Sequence, residues 1–329
     1  KLHMKEQLIT KKILNWYDLN RRSLPWRKNV AFKKGHYYTL VSEFMLQQTQ
    51  VVTVIPFFNR FIKNIPSLKI LAKVPNKKLV KLWEGLGYYS RVRNLKKTAQ
   101  FIMKNFNGKL PNNFEDLIKL PGIGNYTANA ILAIAFNKPY IPLDGNIERV
   151  LKRYLYLKKD KEIQKDNLIQ KKSIFGISSR SRDYAQALME LGALICKPIN
   201  PLCNQCPISK KCMSFKKKDF EITKNIKKKI DKYFVLKVYK KDQSYLLIKN
   251  TKFNFLKNLT IFTMEELSKS KNFKENLSFK MSNMNMNIKI KYLKKSVKLN
   301  SPLWINEKKL GNYMLPSFTK KVVKYLERN

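Results

Sequence analysis

Four cysteines lie within one short segment, in the array Cys196-x6-Cys203-x2-Cys206-x5-Cys212. Thiolates at such spacing can close around one tetrahedral ion or around a cubane cluster. From spacing alone, structural zinc is the default and an iron–sulfur cluster is the alternative. Because the cysteines are not scattered as in a secreted disulfide scaffold, we expect an intracellular protein.

A glycine-containing turn, LPGIG, precedes the helical pattern NYTANAILAIAF. Gly122 and Gly124 allow backbone angles and close approaches that a Cβ would prevent. Free N–H groups at a helix N-terminus attract anions, of which phosphate is the obvious one. An ordinary corner between two helices explains the same pattern, so the turn alone does not decide between structure and binding.

Two carboxylates occupy positions that call for an explanation. Glu43 interrupts the apolar run TLVSEFML, where a charge is costly unless it is paired or used. Asp144, in PLDGNIERV, has the place of the N-cap of a helix. Each has a purely structural alternative, because a buried glutamate can be hydrogen-bonded and an N-cap aspartate is usually only a cap.

Polar and aromatic residues elsewhere in the helical region suit contact with nucleic acid. The cluster QQTQ at 47–50 offers donors and acceptors to base edges or a phosphate backbone, or forms a simple polar turn. Tyr88 and Tyr89 stand beside Arg91 and Arg93. That arrangement suits base stacking with phosphate contact and equally suits ordinary packing.

The charge of the chain points to a polyanionic partner, most simply nucleic acid. Lys and Arg number 68 against 22 Asp and Glu in 329 residues, a net charge of +46. A coding bias of the source, consistent with the general abundance of Lys, Asn and Ile, is the alternative source of part of this excess. We recognise no signal peptide and no apolar run of about 18 residues, so no membrane partner is expected.

The pattern of the chain changes after the cysteines. Helical spacing dominates before residue 196, whereas the segment 232–250 predicts two strands joined by a turn at 240–243. The alternating segment 286–299 predicts a third strand, and 315–329 predicts a closing helix. The sequence therefore predicts a mainly α region followed by an α+β domain.

Residues 16–212 resemble the helix-hairpin-helix DNA glycosylases, the endonuclease III superfamily. LPGIGNYTANAI matches their hairpin, LDGNIERV their catalytic aspartate, and the four cysteines their [4Fe–4S] ligands. The resemblance thus implies a cluster in place of the zinc default. It also implies a glycosylase domain over residues 1–215 with the cluster loop at 196–212, a linker at 216–230, and a Nudix-like lesion-recognition domain at 231–329.

Four details favour the MutY branch, the adenine DNA glycosylases, over the endonuclease III branch. They are SEFMLQQTQV, the block WEGLGYYSRVRNL, the additional C-terminal domain, and Tyr126 where endonuclease III needs a Schiff-base lysine. The resemblance implies monofunctional removal of adenine paired with 8-oxoguanine or guanine. One alternative is an endonuclease III-type glycosylase and AP lyase acting on oxidised pyrimidines. An alternative of another class is a non-catalytic iron–sulfur DNA-binding module, which the two carboxylates disfavour.

The resemblance implies roles for single residues at the reacting centre. Glu43 would protonate adenine at N7, a dry pocket keeping it partly protonated. Asp144 would stay ionised and stabilise the oxocarbenium-like sugar, its N-cap position lowering its pKa. Asn146 would orient water, and Tyr126 would hydrogen-bond to Glu43.

The remaining site residues follow from the same matches. The adenine pocket would be lined by Arg22, Trp26, Leu46, Val51 and Gln186. Contacts to DNA and the lesion would come from a wedge, Gln48 and Tyr88, together with Thr49, Gly122, Gly124 and Ser282. We expect a monomer that binds double-stranded DNA with A:8-oxoguanine or A:G mispairs, in the cytoplasm at the bacterial nucleoid.

Overall fold

The computed structural model describes residues 2–27, 32–157, 179–221, 230–268, 273–280, 284–293, 302–313 and 315–328. The chain forms two compact units, one of Lys1–Leu82 with Tyr88–Lys224 and the other of Trp83–Gly87 with Asn225–Asn329. The first is helical, and the second combines strands with helices, as the patterns predict. No helix among these described residues is both long enough and apolar enough to cross a membrane.

The described helices of the first unit connect through short turns. They are α1 (Leu2–Asn20), α2 (Phe32–Leu46), α3 (Val51–Asn64), α4 (Leu68–Lys73), α5 (Asn76–Leu82), α6 (Ser90–Asn105), α7 (Phe114–Ile118), α8 (Asn125–Ile134), α9 (Gly145–Leu155), α10 (Ser181–Glu190) and α11 (Met213–Lys216). A π-helical turn, Leu191–Ile195, continues α10. Short 3₁₀ turns cover Pro25–Arg27, Cys203–Gln205 and Ser209–Lys211.

Helix α2 is a buried centre of the first unit and packs against α3, α6 and α8. Its predicted apolar face is confirmed, since Leu40, Val41, Phe44 and Met45 are each no more than 1% exposed. Glu43 lies in the same stretch, with 4% of its surface exposed. The packing of α2 has therefore removed this carboxyl group from water.

A second apolar core joins α1, α9 and α10. Ile13 and Tyr17 of α1, Leu151 of α9 and Leu188 of α10 are almost wholly buried in it. Burying each such side chain contributes roughly 1.5–3 kcal/mol. Because the apolar residues of α9 recur on one helical face, this core holds the helix in one orientation and sets where Asp144, at its start, lies.

The LPGIG turn connects α7 to α8 and contains two glycines, of which only Gly122 is sterically required. Gly122 has a φ of +82°, and a Cβ there would come within 2.8 Å of the Asn94 Cβ. Gly124, the N-cap of α8, has an extended backbone with φ −104° and ψ −177°. A Cβ on Gly124 would meet nothing within 4 Å. The expectation of a blocked Cβ is therefore right for Gly122 and wrong for Gly124.

The described strands of the second unit form two sheets. One has the order β5-β1-β7-β6, from β1 (Ile230–Val238), β5 (Thr263–Leu267), β6 (Leu277–Lys280) and β7 (Met284–Tyr292). Strand β1 runs parallel to β7 and antiparallel to β5, and β6 runs antiparallel to β7. In the other sheet β3 (Ser244–Lys249) pairs antiparallel with β2 (Lys240–Lys241), β4 (Thr260–Ile261) and β8 (Leu303–Asn306).

The predicted pairing of two strands about a turn at 240–243 is partly wrong. Asp242 and Gln243, both with positive φ, do form a tight turn, but it joins only the short β2 to β3. The long strand β1 belongs to the other sheet, where β7 is its parallel neighbour. Apolar residues of β1 and β7 pack with the predicted closing helix, α12 (Ser317–Leu326), in one core, so the α+β prediction is confirmed.

Candidate active site

Glu43 and Asp144 meet at one site although they are far apart in the sequence. Tyr126, in the first turn of α8, forms the expected hydrogen bond with Glu43. Asp144 is close enough for its charge to raise the pKa of both groups. Burial is the main reason that the pKa of Tyr126 lies well above 10, so its hydroxyl is a hydrogen-bond donor at neutral pH.

Glu43 has the properties that a general acid needs. Burial raises its pKa to about 7, and the hydrogen bond from Tyr126 and the charge of Arg27 act in the opposite direction. Among the described residues its Oε2 atom has no hydrogen-bond partner. A carboxyl group that is half protonated near neutral pH and has a free oxygen can hand a proton to a bound base.

Asp144 is the N-cap of α9, as predicted. Its Oδ1 accepts hydrogen bonds from the backbone N–H groups of Asn146 at 3.0 Å and Ile147 at 2.7 Å, and its Oδ2 accepts one from Asn146 Nδ2 at 3.0 Å. These bonds and the charge of Arg149 favour the carboxylate, but burial outweighs them and raises the pKa above 3.8. The expected lowering of this pKa is therefore wrong, because desolvation is the larger effect.

Arg149, one turn into α9, ties the start of this helix to the segment that leads into the cysteines. Its Nη2 donates to Asn146 Oδ1 at 2.8 Å and to the Gly192 carbonyl at 2.6 Å. Its Nε donates to the Cys196 carbonyl at 2.6 Å. Because its Oδ1 is occupied, Asn146 presents its Nδ2 to Asp144, so Arg149 fixes the orientation of the carboxamide.

The π-helical turn after α10 lies directly against the start of α9. A Cβ added to Gly192 would come within 2.6 Å of the Asn146 Cβ and 2.9 Å of the Asn146 backbone. Only glycine permits this approach. Single π-helical turns are frequent at functional sites, and here the turn places the cysteine-bearing segment next to the candidate site.

Glu190, the last residue of α10, is a fully buried carboxylate held by two arginines. Arg22 donates to it from Nε at 2.7 Å and from Nη2 at 3.0 Å, and Arg27 donates from Nη1 at 2.7 Å. A buried charge is tolerated when it is paired and hydrogen-bonded in this way. The guanidinium of Arg22, a predicted pocket residue, is thus engaged by Glu190.

A cavity of about 700 Å³ lies beside this ion-pair cluster. Three predicted pocket residues, Arg22, Trp26 and Gln186, line it. Leu46 and Val51 do not, and lie half-buried at the end of α2 and the start of α3. The structure therefore gathers part of the predicted adenine pocket around this cavity, and neither of the two candidate carboxylates is among the lining residues.

The predicted DNA contacts of the first unit lie on three segments, which are the turn after α2, the residues just before α6 and the hairpin before α8. Gln48 and Tyr88 are exposed, and both have left-handed backbone angles, with φ of +57° and +48°. Thr49 is half-buried, and its Oγ1 accepts a hydrogen bond from Arg91 at 3.1 Å. Ser282 lies outside the described residues, so its contact with the lesion stays a prediction.

None of the four cysteines forms a disulfide. Arg153 lies between two of them, its Nη1 donating to Cys196 Sγ at 3.5 Å and its carbonyl accepting from Cys212 Sγ at 3.4 Å. The four thiols are near enough to interact electrostatically. Yet nowhere in the described part of the chain do three or more Cys, His, Asp or Glu gather tightly enough for one metal ion.

Comparison with known proteins decides the family. Residues 41–172 match the HhH-GPD superfamily of base excision DNA repair proteins. An adenine DNA glycosylase from Buchnera aphidicola subsp. Acyrthosiphon pisum is 40% identical over 270 residues, which cover 79% of this chain and 75% of that protein. The chain belongs to the adenine DNA glycosylase family.

A second relative agrees with this family, and a solved structure agrees with the fold. The adenine DNA glycosylase of Buchnera aphidicola subsp. Baizongia pistaciae is 44% identical over 238 residues, 69% of this chain and 66% of its own length. Among solved structures, a thermostable thymine-DNA glycosylase superposes with a TM-score of 0.58 at 28% identity, over 65% of this chain and 98% of its own. The helix-hairpin-helix glycosylase fold predicted for the first unit is confirmed.

Replacing Tyr126 by Phe is expected to move the pH dependence of base release. The Tyr126 hydroxyl lowers the pKa of Glu43, so its removal raises that pKa and keeps the acid form present at higher pH. We expect the alkaline fall in single-turnover base release to shift to higher pH in Tyr126→Phe. Rates measured from about pH 6 to 9 test this, and an unchanged or lower midpoint would show that the hydroxyl does not act on Glu43.

Three residues of the candidate site were not predicted from the sequence. Arg149 follows Asn146 at i+3, the spacing at which an orienting partner on a helix can be sought. Gly192 is an isolated glycine within a helical pattern, which is a signal of close packing. Glu190 carries no such signal, because its partner Arg22 is 168 residues away in the chain.

Proposed function

We propose that this protein is a monofunctional DNA glycosylase that removes adenine paired with 8-oxoguanine or guanine. The observation that carries the proposal is the buried Glu43, with a pKa of about 7 and a free Oε2, next to the N-cap carboxylate of Asp144. Membership of the family indicates adenine as the base. Tyr126 has no amine with which to form a Schiff base, and this supports hydrolysis without lyase chemistry.

In this mechanism the two carboxylates have different tasks. Glu43 donates its proton to N7 of the extruded adenine as the bond between N9 and the sugar C1′ breaks, and the electron pair of that bond leaves with the base. Asp144 stabilises the positive charge that develops on the sugar. Water then adds at C1′ and releases a proton, which leaves an abasic site, and Glu43 is reprotonated for the next turnover.

Asn146 has a supporting task in the same step. Its Nδ2 donates to Asp144 and its Oδ1 is held by Arg149. The carboxamide therefore stays beside the carboxylate throughout the reaction, where it can orient the incoming water. Restricting the water in this way lowers the entropy cost of its attack.

Binding of DNA would use the turn after α2, Tyr88 and the hairpin. Gln48 and Tyr88 would fill the space left by the extruded adenine, and Thr49 would contact the edge of the opposing base. Extrusion costs a few kcal/mol and least at a mispair. Gly124 leaves the N-terminus of α8 free of a side chain, so a backbone phosphate can approach its N–H groups and that of Gly122.

The cysteine array would hold a [4Fe–4S] cluster. The ligands would be Cys196, Cys203, Cys206 and Cys212, and bound there the cluster would fix the fold of the 196–212 loop so that its lysines meet phosphate. The protein purified without oxygen is expected to be brown and to contain iron and acid-labile sulfide in equal amounts. A Cys206→Ala variant should lose both, and colourless protein with one zinc per chain would contradict the proposal.

Single-turnover cleavage tests the function directly. The substrates are matched duplexes with adenine opposite 8-oxoguanine, guanine or cytosine, and free adenine is quantified together with the abasic strand. Release is expected opposite 8-oxoguanine and guanine and much less opposite cytosine. No release from any of the duplexes would end the proposal.

The lyase alternative has its own test. Incubating the protein with an abasic duplex and borohydride traps a Schiff base if a lysine attacks the sugar. We expect no efficient trapping by this chain, and a Tyr126→Lys variant serves as the matched comparison because it restores an amine at that position. Efficient trapping by the unaltered protein would favour the endonuclease III-type reaction. A non-catalytic DNA-binding module would bind the duplexes and release nothing.

For the rest of the chain we propose a glycosylase domain at 1–215, a linker at 216–230 and a Nudix-like lesion-recognition domain at 231–329. The mixed parallel and antiparallel sheet of β1, β5, β6 and β7 is compatible with that domain type. The protein would act as a monomer on the DNA of the bacterial nucleoid, in the cytoplasm. Light scattering with and without a duplex tests the monomer.

A further inference from the structure

We propose that Arg91 is a positioning residue that holds the wedge, Gln48 and Tyr88, in one arrangement before DNA binds. This inference rests on the proposed function, in which the wedge replaces the extruded adenine. It deepens that function by assigning the preorganisation of both wedge residues to one buried guanidinium.

Arg91, in the first turn of α6, caps the C-terminal end of α2 and is only 6% exposed. Its Nη1 lies 2.6 Å from the carbonyl oxygens of Met45 and Gln47 and 3.3 Å from that of Phe44. The last carbonyls of a helix lack partners within it and carry partial negative charge. A buried cation is therefore a strong partner for them, and it defines where the chain leaves α2.

The same guanidinium contacts the segment of each wedge residue. On one side its Nη1 donates to Thr49 Oγ1 at 3.1 Å, directly after Gln48. On the other side its Cζ lies 5.3 Å from the centre of the Tyr88 ring, and its Nε lies 3.5 Å from the Tyr88 carbonyl. Arg91 thus joins two segments that are separated by about forty residues of chain.

Both wedge residues have a backbone conformation that needs external support. Gln48 and Tyr88 have positive φ, and a left-handed conformation is unfavourable for a residue that carries a Cβ. Such conformations persist where the surrounding structure holds them, and they cluster at functional sites. Arg91 contacts the residues on both sides of Gln48 and also contacts Tyr88, so its removal should loosen the backbone at both positions.

The same face of α6 supports the hairpin. Arg91, Asn94 and Thr98 recur at i, i+3 and i+7 and so share one side of the helix. Thr98 Oγ1 donates to the Pro121 carbonyl at 2.8 Å, and Asn94 packs so closely on Gly122 that no Cβ fits. The three segments proposed to contact DNA are therefore all held by one face of α6, with Arg91 in the first turn of that helix.

The experiment follows extrusion separately from cleavage. 2-Aminopurine replaces the target adenine opposite 8-oxoguanine, and its fluorescence rise under stopped flow reports unstacking, while adenine release from the normal duplex reports chemistry. Arg91→Met keeps an unbranched apolar side chain about as long as the arginine stem and removes every donor. Extrusion is expected to slow roughly tenfold to a hundredfold, as the loss of charge-assisted hydrogen bonds implies.

A double-mutant cycle separates positioning from general destabilisation. If Arg91 acts through the wedge, Arg91→Met should slow extrusion by only about twofold when Tyr88 is already Ala, because residues that act as a unit are not additive. Arg60→Met is the matched control, since Arg60 also donates to a helix-end carbonyl, that of Leu82 at 3.0 Å, and lies 4.8 Å from an aromatic ring. It should leave extrusion unchanged.

The outcomes discriminate between the two levels of the proposal. If the unaltered protein neither extrudes 2-aminopurine nor releases adenine, the proposed function fails. If the unaltered protein does both and Arg91→Met extrudes 2-aminopurine at the same rate, the role of Arg91 fails. That role also fails if the effects of Arg91→Met and Tyr88→Ala on the extrusion rate are additive. Should Arg91→Met not fold, as judged by its melting temperature, the same cycle with Arg91→Lys decides, because Lys keeps the charge without the planar fork.

Discussion

Replacing Glu43 by Gln is expected to lower single-turnover adenine release by roughly 10²–10⁴-fold, the usual contribution of a general acid. Gln has nearly the same shape and can still accept the hydrogen bond from Tyr126, but it has no proton to give to N7. Binding to a duplex that contains the lesion should be kept, because the wedge and hairpin do not depend on this group. Cleavage and binding measured on the same duplex test the prediction.

The pH dependence provides a second measurement on the same residue. The pKa of Glu43 is about 7 in the folded protein, so cleavage by the unaltered protein should fall as the pH rises through about 7. In Glu43→Gln this alkaline fall should be absent from the residual rate. Glu115→Gln, a change of the same kind on the exposed first turn of α7, should behave like the unaltered protein.

The free energy of unfolding should also depend on pH through Glu43, because the ionised form of this buried group destabilises the fold. Because burial raises the pKa of Glu43 from 4.5 to about 7, the contribution of its neutral form is fully present below about pH 4.5 and is lost as the pH rises through about 7. That loss is up to about 3 kcal/mol by the usual linkage. Glu43→Gln should therefore unfold at a higher denaturant concentration than the unaltered protein at pH 8, with a smaller difference at pH 5. Equal differences at both values would show that Glu43 keeps an ordinary pKa.

Replacing Asp144 by Asn is expected to reduce adenine release by about 10³-fold or more, an effect comparable to removing a preorganised electrostatic contact from a transition state. Asparagine is also a good N-cap, so the start of α9 should persist. What disappears is the negative charge that faces the sugar. A near-normal melting temperature together with retained lesion binding is the expected companion result.

The control for Asp144 lies on the same helix. Glu148→Gln removes a charge from the first turn of α9, where Glu148 pairs with Lys152, and it should leave the cleavage rate within about twofold of the unaltered value. If Asp144→Asn released adenine at the normal rate, the carboxylate that stabilises the sugar would have to be another one. If Glu148→Gln were equally inactive, the loss would reflect the field of the whole helix end rather than Asp144.

Much of this protein could be predicted from local sequence. The apolar run around Glu43 predicted a buried helix, and the motif around Asp144 predicted an N-cap. The alternating segments after residue 230 predicted strands. These features depend on residues within a few positions of one another, and periodicity and capping act at that range. The family resemblance then paired Glu43 with Asp144, which no local pattern could do.

Only the tertiary structure decided the electrostatics and the supports of the site. Whether capping or burial dominates the pKa of Asp144 depends on how much of its surface the neighbouring residues cover. Burial is the larger effect, so the pKa is raised. Gly124 resembles Gly122 in the sequence, yet only Gly122 faces a helix close enough to exclude a Cβ. The long-range partners of Glu190 and Arg91 carry no sequence signal, because a contact across the fold leaves no periodic trace in either segment. Spacing and motif thus determine which chemistry is available here, and packing determines the charge state and orientation in which it is presented.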